Sequence, residues 1–479
     1  MKLYSENNFY KLYQGNMLEM LDDIEENSID SIITDPPYEL NFMGKGWDNA
    51  GVSFQPDTWK KCYDVLKPGG YLLAFGGSRT FHRIACAIED AGFEIRDTIM
   101  WLYGSGFPKS MDIEKALNKR DGVEFESKLA SGVGFMNTND DGYHNTIHQL
   151  EQVGESSDRA KQWQGWGTCL KPSFEPIIVA RKPFKGSLVD NVIKNGVGGL
   201  NIDECRVGDE TVSIHNAPKG TFAGGDWDRG SDTSSYRDST GRFPANTILT
   251  YDETDFDEVC GGFPYTKSSG GKQTMPNFKQ VGAKQKELGN GNKLNFGQVT
   301  DIDRKDSDYI APCDSGSASR YFYCAKASKK DRDEGLEEFE DKPLTLTENK
   351  GRTFNDRCAI CGKKFIGSPE TICHCEHPIT DKTKSAPRKN VHPTVKPTDL
   401  MQYLVRLVTP NGGTVLDPFN GSGSTGKAVM YENKERDKGY KYIGIELTEE
   451  YLPISKARIE YVCKDLNVVQ TTLDLSDLD

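Results

Sequence analysis

The segment TVLDPFNGSGSTGKAVMYEN, residues 414–433, constrains the fold more than any other. A short apolar run reaches Asp417-Pro418-Phe419, passes through Gly421, Gly423 and Gly426, and continues with helical spacing. Glycines at such a junction turn a strand sharply into a helix and leave backbone N–H groups at the helix's positive end. A strand–glycine turn–helix unit predicts a parallel sheet with helices on its faces. The flanking pieces agree. SIDSIIT (28–34), GYLLAFGG (70–77), EIRDTIMWLYG (94–104), SFEPIIVARKP (173–183) and YKYIGIEL (440–447) read as strands. DTWKKCYDVL (57–66), SRTFHRIACAIEDAG (78–92), DLMQYLVRLV (399–408) and EEYLPISKARIEYV (449–462) read as helices.

Between these ordered ends the chain changes character. From 184 to about 390 Gly, Asn, Asp, Ser and Thr dominate, as in DRGSDTSSYRDSTGRFP and GNGNKLNFG. The expectation is one α/β catalytic domain made of residues 1–183 and 391–463, split by an irregular insertion at 184–390 and followed by a loose acidic tail at 464–479. The start has no apolar leader, and no run of eighteen apolar residues occurs, so a cytoplasmic chain that does not span a membrane is expected.

The net charge of −13 argues against a protein that coats nucleic acid. It hides two basic stretches, however. Residues 265–300 hold six Lys against Glu287, and residues 379–400 hold Lys382, Lys384, Arg388, Lys389 and Lys396 against Asp381 and Asp399. Solvated loops are the plainer account of both, unless the chemistry elsewhere calls for a polyanion.

The glycine loop fits three ligand rules. Gly421, Gly423 and Gly426 spell the dinucleotide fingerprint, and Gly421 to Lys427 spells most of a phosphate-binding P-loop. The P-loop fails at Ala428, where a hydroxyl must hold magnesium. Glu446, twenty residues beyond Gly426, is placed to accept from ribose hydroxyls, which NAD and S-adenosylmethionine (AdoMet) share. Asp417 before the glycines suits a cationic, amine-bearing ligand better than a pyrophosphate.

A second constellation lies far upstream. Asp35-Pro36-Pro37-Tyr38 follows the strand SIDSIIT. Two prolines stiffen the turn and remove donors. A carboxylate, free carbonyls and an aromatic ring together can hold a planar ring that bears an amine. DPPY paired with DPFNGSGSTG resembles the amino-methylating DNA methyltransferases, which act on adenine N6 or cytosine N4. The order along the chain resembles their permuted β group. GNMLEML (15–21), VLKPGGYLLAFGG (65–77), HPTVKPTDLM (392–401) and YIGIEL (442–447) match as well. WGTCLKPSFEPIIVARKP (166–183) and SASRYFYCAKASKKDR (317–332) look like a phage and mobile-element subset.

The resemblance implies a Rossmann-like AdoMet-dependent methyltransferase sheet, with 184–390 as its target-recognition insertion, and double-stranded DNA as partner. Asp35, Pro36, Pro37 and Tyr38 become the catalytic turn. Asp35 also carries over as a cofactor contact, with Thr394, Lys396, Pro397, Asp417, Phe419, Asn420, Gly421, Ser422, Gly423 and Glu446. Asn16 falls where the family usually has Asp, which weakens that contact alone. Asp at the head of the turn favours adenine, whereas the cytosine-N4 enzymes more often have Ser there. Other readings are a cytosine-N4 enzyme, a catalytically silent DNA-binding regulator, and a methyltransferase for RNA or a protein amide. Candidate base readers are Arg229, Arg237, Arg242 and Asn246. A homodimer is compatible with the chain, and a restriction endonuclease partner is left open. Asp417→Ala is expected to lower AdoMet affinity and leave DNA binding largely intact, by titration of each ligand.

CAICGKKFIGSPETICHCEH gives C-x2-C-x11-C-x-C at Cys358, Cys361, Cys373 and Cys375, with His374 and His377 beside them. Thiols this dense suit a structural tetrahedral zinc in a knuckle at 358–377.

Overall fold

A computed structural model of the chain describes residues 2–40, 51–103, 110–123, 155–216, 235–250, 329–340 and 389–473, together with short strands between them. Ten strands form one sheet: β1 (Lys2–Glu6), β2 (Tyr10–Gln14), β3 (Ile29–Thr34), β4 (Leu66–Phe75), β5 (Glu94–Tyr103), β6 (Phe174–Arg181), β7 (Thr247–Thr250), β8 (Tyr323–Cys324), β9 (Thr414–Asp417) and β10 (Lys441–Glu446). Their spatial order is β1-β2-β10-β9-β3-β4-β6-β5-β7-β8. The centre from β2 to β4 is parallel, as the strand–helix alternation predicts. Every residue of β3 is buried, as a strand covered on both faces requires.

β1 and β6 run against their neighbours in that centre. β1 and β2 are joined by a turn too short for a crossover, so they pair antiparallel. β6 pairs antiparallel with β4. It arrives from a separate compact stretch rather than from a crossover helix, so nothing forces it parallel.

The helices are α1 (Met17–Met20), α2 (Pro56–Val65), α3 (Phe81–Asp90), α4 (Ile113–Arg120), α5 (Asp158–Lys161), α6 (Leu188–Asn195), α7 (Lys329–Asp333), α8 (Thr398–Val408), α9 (Ser424–Arg436) and α10 (Leu452–Leu473). Pro56 opens α2, where its missing N–H costs nothing. With α1 and α3, α2 packs Trp59, Cys62, Ile84 and Ile88 onto Ile32, Leu72, Leu416 and Ile445 of the sheet. α10 continues to Leu473, through ten residues expected to be tail.

The compact units divide the chain elsewhere than at 183 and 390. One unit takes Met1–Leu102 and Glu175–Asp479, and the other Tyr103–Phe174. The reason is that parts of the inserted stretch are built into the main sheet: β7 and β8 pair in parallel at its edge. In the smaller unit, Asp112 caps α4, Ser157 caps α5, and Asn118 bonds Ser156 across 3.0 Å. Among the described residues no helix is long and apolar enough to cross a membrane.

Candidate active site

Four parallel strands end along one edge of the sheet. β3 stops at Thr34 and β9 at Asp417, and the two are direct neighbours, with Leu416 opposite Ile32. Thr34 and Asp417 are 383 residues apart in sequence, yet the Thr34 hydroxyl donates to Asp417 Oδ1 at 2.6 Å. The DPPY turn and the glycine loop therefore leave the sheet side by side, at the carboxyl ends of its strands, where open α/β sheets bind ligands. β10 ends at Glu446 beside β2, whose Gln14 lies opposite it.

The glycine loop is braced by buried polar groups. Asp417 is 2% exposed. Its Oδ2 accepts from Thr425 Oγ1 at 2.7 Å and its Oδ1 from Phe419 N at 3.1 Å. Burial pushes its carboxyl up to about 7, and the Thr34 and Thr425 hydroxyls oppose that rise. Both oxygens are thus engaged within the protein, so any effect of Asp417→Ala on a ligand would act through the shape of the loop. Glu446 braces the same loop: Oε2 accepts from Gly421 N and Oε1 from Thr448 N, each at 2.7 Å. Burial raises its carboxyl too, against the pull of those N–H groups.

Gly421 and Gly423 adopt φ of +52° and +74°, the left-handed region that favours glycine. A Cβ on Gly423 would meet Ser455 Oγ at 2.5 Å, and one on Gly426 would meet Tyr442 Cε1 at 2.6 Å. The third glycine therefore serves close packing of α9 on β10. Asn420 Nδ2 donates to Ser455 Oγ at 2.9 Å, and Asn420 Oδ1 accepts from Tyr442 OH at 2.8 Å. The Ser422 carbonyl accepts from Arg458 Nη1 at 2.8 Å. Phe419 packs near Trp59, with ring centroids 6.5 Å apart.

Lys427, the lysine of the apparent P-loop, is fully buried and faces away from any phosphate. Its Nζ sits 2.7 Å from Asp331 Oδ1 and 2.8 Å from Glu334 Oε2. Asp331, at α7, also accepts from Thr398 N at 2.8 Å, and its carbonyl accepts from Arg458 Nη2 at 3.4 Å. The segment 329–334 thus fastens the back of the glycine loop.

At the DPPY turn, Asp35 Oδ2 lies 2.6 Å from Lys396 Nζ. Among the described residues Asp35 Oδ1 is buried without a hydrogen-bond partner. Burial raises the Asp35 carboxyl, Lys396 opposes this, and Glu175 adds to it. The Pro37 carbonyl accepts from Ser53 Oγ at 2.6 Å, and the Tyr38 carbonyl from Thr80 Oγ1 at 2.8 Å, which holds the turn rigid. Pro36 lies buried between Asp35 and Pro37. The Tyr38 hydroxyl donates to Glu175 Oε2 at 2.8 Å. Lys396 lies 5.4 Å over the Tyr38 ring and 5.0 Å over Phe75.

Lys396 reaches this place from the HPTVKP segment. His392 Nδ1 lies 2.9 Å from the Thr394 carbonyl oxygen, and Pro397 is the N-cap of α8. His392 also backs the glycine loop, since a Cβ on Gly421 would meet its Nε2 at 2.9 Å. Asn16 follows β2 and caps α1, accepting from Leu18 N at 3.1 Å.

Sequence reasoning missed Glu175, Arg458 and the Asp331–Glu334 pair. Glu175 stands in the quoted stretch SFEPIIVARKP, but nothing local ties it to Tyr38. Of the candidate base readers, Arg242 pairs with Glu210 at 2.5 Å and Asn246 Nδ2 donates to Asp97 at 3.1 Å. Arg237 lies in a strand paired with Val207–Asn216, and Arg229 lies outside the described residues. So do Cys361, Cys373, Cys375 and most of the two basic stretches. Cys358 lies in a short strand, Arg357–Cys358, which pairs with Thr380–Asp381. No metal-binding cluster occurs among the described residues.

Comparison with known proteins gives a concordant picture. A family model described as DNA methylase, of the N6/N4 type, matches residues 29–457. The type II methyltransferase M2.LlaDCHI of Lactococcus lactis subsp. cremoris is 37% identical over 229 residues, covering 42% of this chain and 82% of that protein. M.HindIII of Haemophilus influenzae is 24% identical over 232 residues, covering 40% and 64%. M.HpaI of Haemophilus parainfluenzae is 37% identical over 106 residues, covering 21% and 34%. The chain thus spans less than two thirds of the latter two. The solved structure of PvuII DNA methyltransferase (cytosine-N4-specific) aligns at 13% identity and a TM-score of 0.37, over 96% of this chain and 92% of that one.

Proposed function

The chain belongs to the N6/N4 DNA methylase family, and from that premise we propose that it is a site-specific DNA methyltransferase. It moves a methyl group from AdoMet to the N6 amine of an adenine flipped out of duplex DNA. The observation that carries this reading is the adjacency of β3 and β9, which brings the DPPY turn beside the glycine loop. The residues suit the two ligands. The left-handed Gly421–Gly423 turn offers backbone rather than side chain to a cofactor, and buried Asp35 Oδ1 is an acceptor in need of a donor such as an amine.

AdoMet, when bound, supplies an electrophilic methyl on a sulfonium. Asp35 and the Pro36 carbonyl accept hydrogen bonds from the base NH2, which localises the nitrogen lone pair. That nitrogen would attack the methyl in line, the new N–C bond forming as the C–S bond breaks and its electron pair returns to sulfur, with Asp35 and Pro36 holding the amine in place. The positive charge passes to the amine, which then releases a proton to solvent. Catalysis here is positioning plus electrostatics. Stacking on Tyr38 offsets part of the few kcal/mol that base flipping costs. The insertion supplies target recognition, and its basic residues, Lys396 of the second stretch excepted, meet phosphate. Adenine is favoured over cytosine by the Asp at the head of the turn.

The test is to incubate the protein with mixed-sequence duplex DNA and methyl-labelled AdoMet, digest to nucleosides and identify the product. N6-methyldeoxyadenosine is expected. N4-methyldeoxycytidine would move the reading to cytosine, and tight DNA binding with no labelled nucleoside would make the protein a silent regulator. A structural zinc on Cys358, Cys361, Cys373 and Cys375 belongs to the same proposal. It is supported by their spacing and by the strand pair that brackets them. About one zinc per chain is expected after purification without chelator, and a metal-free protein would remove it.

A further inference from the structure

Beyond the DPPY turn itself, the site holds a charge arrangement that the proposed transfer leaves unassigned. Lys396 Nζ lies between two carboxylates, 2.6 Å from Asp35 Oδ2 and 3.4 Å from Glu175 Oε2. Glu175 stands at the start of β6, just past the end of β4, since Ile177 lies opposite Phe75. The same Glu175 oxygen accepts the Tyr38 hydroxyl at 2.8 Å.

Resting on the methyltransferase reading, we propose that Glu175 and Lys396 are positioning residues of the acceptor-amine site: Lys396 holds Asp35 in place through one oxygen, while Glu175 fixes Tyr38 and sets a second negative charge against the ammonium. An Asp35–Lys396 pair alone is neutral. Placed beside an amine that becomes positive during the transfer, its ammonium would cancel much of what Asp35 offers. The second carboxylate offsets that ammonium, so that Asp35 still faces the positive charge that enters on the sulfonium and ends on the amine. Lys396 in turn opposes the rise that burial imposes on the Asp35 carboxyl. A plain structural ion pair would have no need of a second, unequal partner that also orients the stacking ring.

The groups facing Asp35 give the proposal a sign. They are Lys396 from the segment before α8, Glu175 from β6, Tyr38 from its own turn, and Asp417 from β9. Lys396 favours the charged form of Asp35, and Glu175 disfavours it.

The experiment is single-turnover methyl transfer at saturating AdoMet and duplex DNA, followed from about pH 5 to 9, where the acid limb reports Asp35 together with Asp417, at about 7, and only the Asp35 part responds to changes at Glu175 and Lys396. Glu175→Gln removes a like charge, so its limb should move to lower pH by about one unit, with a plateau rate roughly tenfold down. Lys396→Met removes the counter-charge, so its limb should move to higher pH. Glu175→Asp keeps the charge and should keep the limb, so the Glu175 pair decides the matter even if Lys396→Met does not fold. A limb that stays put or rises in Glu175→Gln, or moves the same way in both neutral variants, overturns the proposal while wild-type activity stands. A wild type that methylates no DNA removes the function and the charge arrangement's role together.

Discussion

Replacing Asp35 by Asn should lower single-turnover methyl transfer by about 100- to 1,000-fold, the range seen when one preorganised electrostatic contact to a reacting group is lost. The amide has nearly the same shape, so packing survives. Its charge is gone, however, and its NH2 must face either Lys396, 2.6 Å from the present Oδ2, or the incoming amine. Both are donors. Lys396 keeps Glu175 as an ion-pair partner, so the folded state should tolerate the change. AdoMet affinity is expected to stay within about threefold, whereas DNA affinity falls modestly, because the amide NH2 meets a donor of the flipped base. Rapid-quench transfer assays alongside equilibrium titrations give both numbers. A variant that transfers at the wild-type rate would remove Asp35 from the chemistry.

Lys427→Met should cost about 3 kcal/mol of stability, among the largest losses available from a single side chain in this structure. Lys427 is fully buried, and its ammonium is matched to Asp331 and Glu334. Burial and Lys427 act on the Asp331 carboxyl in opposite directions, and the outcome is a carboxyl below its ordinary range. Without the lysine, two partly buried carboxylates lose the ammonium they share, although Thr398 still donates to the first and Tyr431 to the second. Denaturant melts of Lys427→Met measure the loss. Combining it with Asp331→Asn and Glu334→Gln should recover part of it, because the unpaired charges then disappear. No recovery would mean that the cost lies in packing around α9 instead.

The sequence was most legible where hydrophobic period and turn chemistry agree. β3, α2, β9 and α9 lie close to where their patterns place them, and the two motifs leave neighbouring strands. It was least legible where a partner lies far along the chain. Thr34 meets Asp417 across 383 residues, Tyr38 meets Glu175 across 137, and Lys427 meets Asp331 across 96. No local pattern encodes such pairs. β8 has two residues and β7 four, among glycines and polar residues, so neither shows a usable alternation. Lys427 is instructive. It read as part of a failed phosphate loop because of its spacing, whereas its place is decided by an acidic pair from a segment that looked like insertion.

The strand order also bears on how the chain comes to be made. β2 and β3 are adjacent in sequence, yet β10 and β9 lie between them in the sheet. A ribosome working at about 5 to 20 residues per second delivers β9 roughly 20 to 80 seconds after β3. Until then the nascent chain carries two open strand edges, on β2 and β3, with a two-strand gap between them. Unpaired edges invite association with other chains. Chains released before residue 414 should therefore be recovered as aggregates or as chaperone clients, and β9 and β10 act as the keystone of strands made long before them.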